Sequence, residues 1–193
     1  MLFYLGCKVL TNIDNGTMIV TTGVEGNWSF GSFVKYNCST GYNLTFDLPL
    51  MCLSNGSWNG SSPECKLVTC SPPVMPANGS YAPINATYNY ADEVEFSCRL
   101  GFDRYGPNTL YCNATGQWSE DSPVCQIKDC GNLTIPANGQ VWHAAGTTFG
   151  QSANYSCDEG YTLNGTDTRT CNESGNWTLE APHCDLRRRL YIE

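Results

Sequence analysis

Cysteine spacing constrains this chain more than any other feature. Its 193 residues contain twelve cysteines, which fall into three groups of four beginning at Cys7, Cys70 and Cys130. The second and third cysteines of each group are 14 apart (Cys38 and Cys52, Cys98 and Cys112, Cys157 and Cys171), and the fourth follows 13 later at Cys65, Cys125 and Cys184. Only the first spacing varies, at 31, 28 and 27. A dense and even cysteine count in a short chain points to a disulfide framework rather than to reactive thiols, and such a framework needs an oxidising compartment. Structural zinc would call for close C-x2-C pairs. The nearest cysteines, Cys65 with Cys70 and Cys125 with Cys130, have four residues between them, and His143 and His183 are the only histidines.

Other residues keep the same register. Asn-Gly comes eight residues after the first cysteine, at Asn15-Gly16, Asn78-Gly79 and Asn138-Gly139. An aromatic residue (Tyr36, Phe96, Tyr155) stands two before the second cysteine, and a Gly-aromatic pair (Gly41-Tyr42, Gly101-Phe102, Gly160-Tyr161) begins three after it. Gly-x-Trp follows the third cysteine at Gly56-Trp58, Gly116-Trp118 and Gly175-Trp177, and Pro63, Pro123 and Pro182 stand two before the fourth. Recurring three times over residues 7 to 184, these motifs resemble the sushi family, also called complement control protein or short consensus repeats.

The resemblance implies an all-β protein of three small disulfide-rich modules in an elongated beads-on-a-string array. Spacing alone leaves three connectivities open for four cysteines. The resemblance implies first-to-third and second-to-fourth pairing: Cys7 with Cys52, Cys38 with Cys65, Cys70 with Cys112, Cys98 with Cys125, Cys130 with Cys171 and Cys157 with Cys184. The expected layout is a leader remnant at 1–6, modules at 7–65, 70–125 and 130–184, and a polar tail at 185–193.

Residue patterning reaches a compatible fold on its own. Val34-x-Tyr36-x-Cys38, Val94-x-Phe96-x-Cys98 and the weaker Ala153-x-Tyr155-x-Cys157 alternate apolar with polar residues, as a half-buried strand does, and no segment shows sustained helical periodicity. Modules of about 60 residues bury too little surface to be comfortably stable unaided. Each bridge closes a loop whose chain-entropy stabilisation is roughly 3.5 to 4 kcal/mol as an upper figure. Trp58, Trp118 and Trp177 are expected to cover the bridges. The linkers Lys66-Leu67-Val68-Thr69 and Gln126-Ile127-Lys128-Asp129 contain no Gly, Ser or Pro, so they restrict the hinge, with Leu67, Val68 and Ile127 expected to pack at the junctions.

Catalysis needs a nucleophile, a base and an orienting group, or a metal, inside a cleft. Two histidines, no unpaired cysteine and modules without room for a cleft argue against an enzyme, and no cofactor or metal is expected. Asp92-Glu93-x-Glu95 reads as a solvated strand face rather than a calcium loop. Basic and acidic side chains number two and four in module 1, two and six in module 2, and one and five in module 3. Acidic modules disfavour nucleic acid and heparin as partners. The one basic run, Arg187-Arg188-Arg189, lies beyond Cys184 and reads as a solvated tail.

Asn-x-Ser/Thr acceptors occur at Asn15, Asn27, Asn37, Asn43, Asn55, Asn59, Asn78, Asn85, Asn113, Asn132, Asn154, Asn164, Asn172 and Asn176, a density that fits a secretory-pathway glycoprotein. Residues 1–6 are too short for a signal peptide and no window approaches a membrane span. The chain therefore reads as a fragment of a secreted protein or of an ectodomain, with membrane attachment only through a segment it does not contain.

The expected function is non-catalytic extracellular protein binding, adhesion or spacing. The alternatives are a complement-regulator-like binding protein and an accessory region of a larger secreted protease. Candidate partner-binding residues come from departures between repeats. Gly23 to Gly31 reads as a protruding loop in module 1 with Trp28 and Phe30 at its tip, the alternative being that both rings fold back onto the module. Counted from the shared Asn-Gly, Met18, Tyr81 and Val141 face inward. Trp142 then faces outward, followed by His143.

Overall fold

A computed structural model describes residues 6–143 and 146–187, and every element in them is a strand, a turn or a bend. The chain divides into two compact units. The first holds the described residues up to Pro73 with Pro83–Val94 and Thr109–Asp121; the second holds Val74–Ala82, Glu95–Asn108 and the described residues from Ser122. The middle repeat contributes one bridge to each, Cys70–Cys112 to the first and Cys98–Cys125 to the second.

In the first unit, the first repeat builds a three-stranded antiparallel sheet in the order Gly16–Thr22, Phe33–Cys38, Leu50–Met51. The alternation of its central strand is realised residue by residue: Val34 and Tyr36 are buried, Lys35 and Asn37 exposed. A second ladder pairs Tyr42–Leu44 with Cys65–Leu67. Val34, Tyr36, Leu50 and Trp28 pack around the Cys7–Cys52 bridge as the core. Thr69–Cys70 pairs with Tyr88–Asn89 in the same unit.

The second unit repeats the plan. Gly139–His143, Ser152–Cys157 and Thr168–Thr170 form one sheet, and Tyr161–Asn164 pairs with His183–Leu186. The strand Phe102–Tyr105 pairs with Val124–Ile127. Ala153 and Tyr155 are buried on the central strand while Asn154 and Ser156 face water.

The recurrent Asn-Gly has a geometric cause. Asn15, Asn78 and Asn138 hold φ of 54°, 57° and 57°, a left-handed conformation that asparagine tolerates better than most residues. Their carbonyls accept hydrogen bonds from the N–H groups of Ser39, Arg99 and Asp158. The glycine that follows lies flat against the second bridge. A Cβ on Gly16, Gly79 or Gly139 would fall 2.7, 2.6 and 2.7 Å from the sulfur of Cys65, Cys125 and Cys184. Six bridges are formed, with Cα–Cα distances of 5.6 to 5.9 Å: Cys7–Cys52, Cys38–Cys65, Cys70–Cys112, Cys98–Cys125, Cys130–Cys171 and Cys157–Cys184.

The first linker uses one of the two residues that sequence reasoning names, and the second uses the neighbour of the one it names. Val68 is 5% exposed, whereas Leu67 and Ile127 are each 40% exposed and do not fill the junctions. Leu67 and Ile127 are held in the ladders opposite Tyr42 and Phe102. The turn inward comes one residue later, at Val68 and Lys128. Val68 N–H donates to the Gly41 carbonyl and its own carbonyl accepts from Tyr90 N–H; Lys128 does the same between Gly101 and Phe149. Lys128 is partly exposed and its Nζ reaches Asp103 at 3.4 Å, so a cation's stem replaces the valine.

Candidate interaction surface

The chemistry available is sparse. Among the described residues no group of three or more His, Cys, Asp and Glu is placed to hold a metal ion, and no cysteine is free. An open depression lined by Asn12, Asp14, Asn15, Pro63 and Glu64 brings no base against a nucleophile. His183 stands 3.7 Å from Asp185 on the open surface. Among the described residues Asp129 is the one carboxyl with a clear displacement: hydrogen bonds from the Thr147 side chain and the Gly131 N–H hold it below its ordinary value.

The three Gly-x-Trp tryptophans are structural. Trp58, Trp118 and Trp177 are half-buried, and each indole N–H donates to the carbonyl one residue past the first cysteine of its repeat: Lys8 at 2.8 Å, Ser71 at 2.8 Å and Gly131 at 3.1 Å. Their backbones bridge Cys52, Cys112 and Cys171. Each tryptophan therefore ties the two cysteines of the first bridge together by polar contacts as well as by cover.

Counting back from the second cysteine resolves the aromatic loop of the first repeat. Trp28, Tyr88 and Thr147 each stand ten residues before it, and Phe30, Tyr90 and Phe149 eight before it. Trp28 is 2% exposed, with its ring edge-on to Trp58 at 5.6 Å between centroids, and its carbonyl accepts from Cys7 N–H. Tyr88 meets Trp118 the same way at 5.1 Å. Trp28 is thus core, and its assignment to a partner surface is corrected. The extra residues of this repeat form the turn where Val24 pairs with Asn27, upstream of the indole, which lets Trp28 reach back to the Cys7–Cys52 bridge.

Phe30 is 60% exposed. Its two counterparts are engaged: Tyr90 lies over Gly41 and Phe149 over Gly101, so closely that a Cβ on either glycine would overlap the ring. Tyr90 and Phe149 also donate their N–H to Val68 and Lys128, whereas the Phe30 N–H has no partner among the described residues. The complementary half appears without its ring in the third repeat. Arg187 N–H donates to the Gly160 carbonyl at 2.8 Å, and among the described residues nothing lies within 4 Å of where a Gly160 Cβ would point.

Trp142 is 63% exposed and His143 is exposed beside it, on a strand paired with Asn154 and Ala153. Twelve of the fourteen acceptor asparagines are exposed; Asn113 and Asn172 are half-buried. The carboxamide oxygens of those two accept from turn N–H groups, of Thr115 and Gln117 in one case and of Ser174 and Asn176 in the other. Conventional sequence reading missed the junction role shared by Tyr90 and Phe149. The stretch between Asn-Gly and the second cysteine differs in length among the repeats, so the shared position shows only when counted back from that cysteine.

Comparison with known proteins agrees with this architecture. A family model described as the Sushi repeat (SCR repeat) matches residues 7–65, 70–125 and 130–184. The chain is 32% identical to E-selectin of Homo sapiens over 183 residues, 93% of this chain and 30% of that protein. It is 39% identical to the sushi, von Willebrand factor type A, EGF and pentraxin domain-containing protein 1 of Mus musculus over 181 residues, 93% of this chain and 5% of that protein. P-selectin of Mus musculus is 36% identical over 179 residues, 90% of this chain and 23% of that protein. The chain spans less than a third of the length of each of these relatives. With three matches that together cover most of its residues, the chain belongs to the sushi repeat family.

Proposed function

We propose that the chain is a non-catalytic extracellular segment that binds a protein partner in adhesion, and that Phe30 of the first repeat is its principal anchor. The observation that carries this reading is the pair of groups at Phe30: an exposed aromatic ring beside a backbone N–H that has no partner among the described residues. In both linkers the same pair is satisfied by a glycine of the preceding repeat and a carbonyl of the linker itself, Val68 or Lys128. A partner would therefore offer a flat, side-chain-poor backbone with an outward carbonyl. An aromatic residue that becomes desolvated against such a surface is the kind of group that dominates protein interfaces. The acidic repeats agree with protein rather than polyanion recognition.

Multimers of the secreted full chain, labelled and applied to a panel of human endothelial and leukocyte cells, test the reading. Specific binding that falls at least about tenfold with Phe30→Ala, the scale of a modest hot spot, is the expected result. Binding that Phe30→Ala leaves unchanged would move the anchor elsewhere, and absence of binding to any cell would favour a spacer.

A further inference from the structure

Trp142 stands open on the outward face of the third repeat's sheet, directly across the strand pair from Asn154. Asn154-Tyr155-Ser156 is one of the glycosylation acceptors. Directly opposed residues in an antiparallel ladder share a face, with Cβ atoms about 4.5–5.5 Å apart. The other repeats handle this position differently. Ile19 faces Lys35, whose aliphatic stem can lie over it, and Ala82 faces Glu95, leaving little apolar surface to cover. In the third repeat the largest apolar side chain faces one of the shorter polar ones, and its described neighbours on that face are Gln140, Ser152, Ser156 and Thr168, all polar.

We propose that Asn154 carries an N-linked glycan and that the Trp142 indole is the platform on which its first N-acetylglucosamine rests. The Thr168 hydroxyl donates to Asn154 Oδ1 at 3.0 Å. That leaves Nδ2, the atom that would bear the sugar, without a protein partner among the described residues. Other acceptors on strand ladders lack this arrangement. Asn37 faces Thr17 and Asn43 faces Lys66; Asn164 faces His183 and already donates from Nδ2 to Asp185 at 2.9 Å.

In the attachment step the co-reactant is a lipid-pyrophosphate-linked oligosaccharide. A bond forms between Asn154 Nδ2 and the sugar C1, the bond from C1 to the pyrophosphate oxygen breaks, and the lipid pyrophosphate leaves with the electron pair. Nδ2 gives up one proton to a base. Transfer needs only the acceptor triplet; the folded ladder then decides where the sugar lies. The C–H-bearing face of the pyranose is apolar enough to pack on an indole, so the chain's own glycan, rather than a partner, covers Trp142.

The test uses the full chain secreted from mammalian cells, as wild type, Ser156→Ala, Trp142→Ala and the double variant. Ser156→Ala removes the acceptor triplet while keeping Asn154 and its bond to Thr168. Enzymatic release of N-glycans in heavy-oxygen water is expected to convert Asn154 to labelled aspartate in the wild type. Ser156→Ala is expected to lower the melting temperature of the third repeat by about 2–5 °C when Trp142 is present and by much less when it is alanine. Should Trp142→Ala fail to be secreted, proton NMR of the wild type decides the matter: the first sugar's protons are expected to shift upfield under the indole ring current. An unlabelled Asn154 overturns the proposal. So does an equal loss in both backgrounds, or sugar protons without the shift.

Discussion

Substituting alanine for Gly101 and, separately, for Gly160 isolates what the ring-on-glycine contact contributes. Both glycines occupy the left-handed region, at φ of 81° and 90°, so the backbone strain of a Cβ, about 1–2 kcal/mol, is common to the two variants. They differ in what the Cβ meets: at Gly101 it enters the ring of Phe149, and at Gly160 it finds open space. Phe149 is half-buried, so displacing it re-exposes roughly 80 Å² of apolar surface, worth about 2 kcal/mol. Its N–H bond to the Lys128 carbonyl contributes about 1 kcal/mol more. Gly101→Ala is therefore expected to cost about 4–5 kcal/mol locally, against about 1–2 for Gly160→Ala. Several repeats need not unfold as one transition, so amide hydrogen exchange resolved by residue is the suitable assay. In Gly101→Ala the Phe149 amide is expected to exchange at least about a hundredfold faster, while in Gly160→Ala it keeps wild-type protection. Equal effects at Phe149 in the two variants, or undiminished protection in Gly101→Ala, would refute the claim that the ring is held by its fit to a bare backbone.

Trp28→Ala is expected to destabilise the first repeat by about 3–5 kcal/mol, read as loss of exchange protection at Val34 and Tyr36, because it empties the core beside the Cys7–Cys52 bridge. Trp28→Phe is expected to cost less than that, since Trp28 Nε1 is buried without a hydrogen-bond partner among the described residues and its loss removes an unsatisfied group. The Asp129 turn is expected to loosen in acid. A carboxyl held below its ordinary value favours the folded turn at pH above the unfolded value of about 4, and that contribution fades as pH falls through the folded value. Faster Gly131 amide exchange below about pH 4, normalised for intrinsic rates and abolished in Asp129→Asn, checks it.

Local chemistry in the sequence was enough to read an all-strand, disulfide-stapled repeat. Period-two alternation around Tyr36, Phe96 and Tyr155 needs only the pleat to place those rings inward, and a half-buried strand leaves them no other face. The same alternation put Ile19, Ala82 and Trp142 outward, because a strand carries its register along without outside help. What the sequence could not settle lies where the chain leaves a ladder. Trp28 and Phe30, two residues apart in a loop, face the core and the solvent respectively, and that choice depends on which ring can reach the Cys7–Cys52 bridge once the extra turn at Val24 has been absorbed upstream. Leu67 and Val68 are adjacent and similarly apolar, yet only Val68 is buried, since its N–H and carbonyl are claimed by Gly41 and Tyr90 while Leu67 is held in the ladder opposite Tyr42. Burial at those positions is decided by partners distant in sequence, and only the tertiary structure brings those partners together.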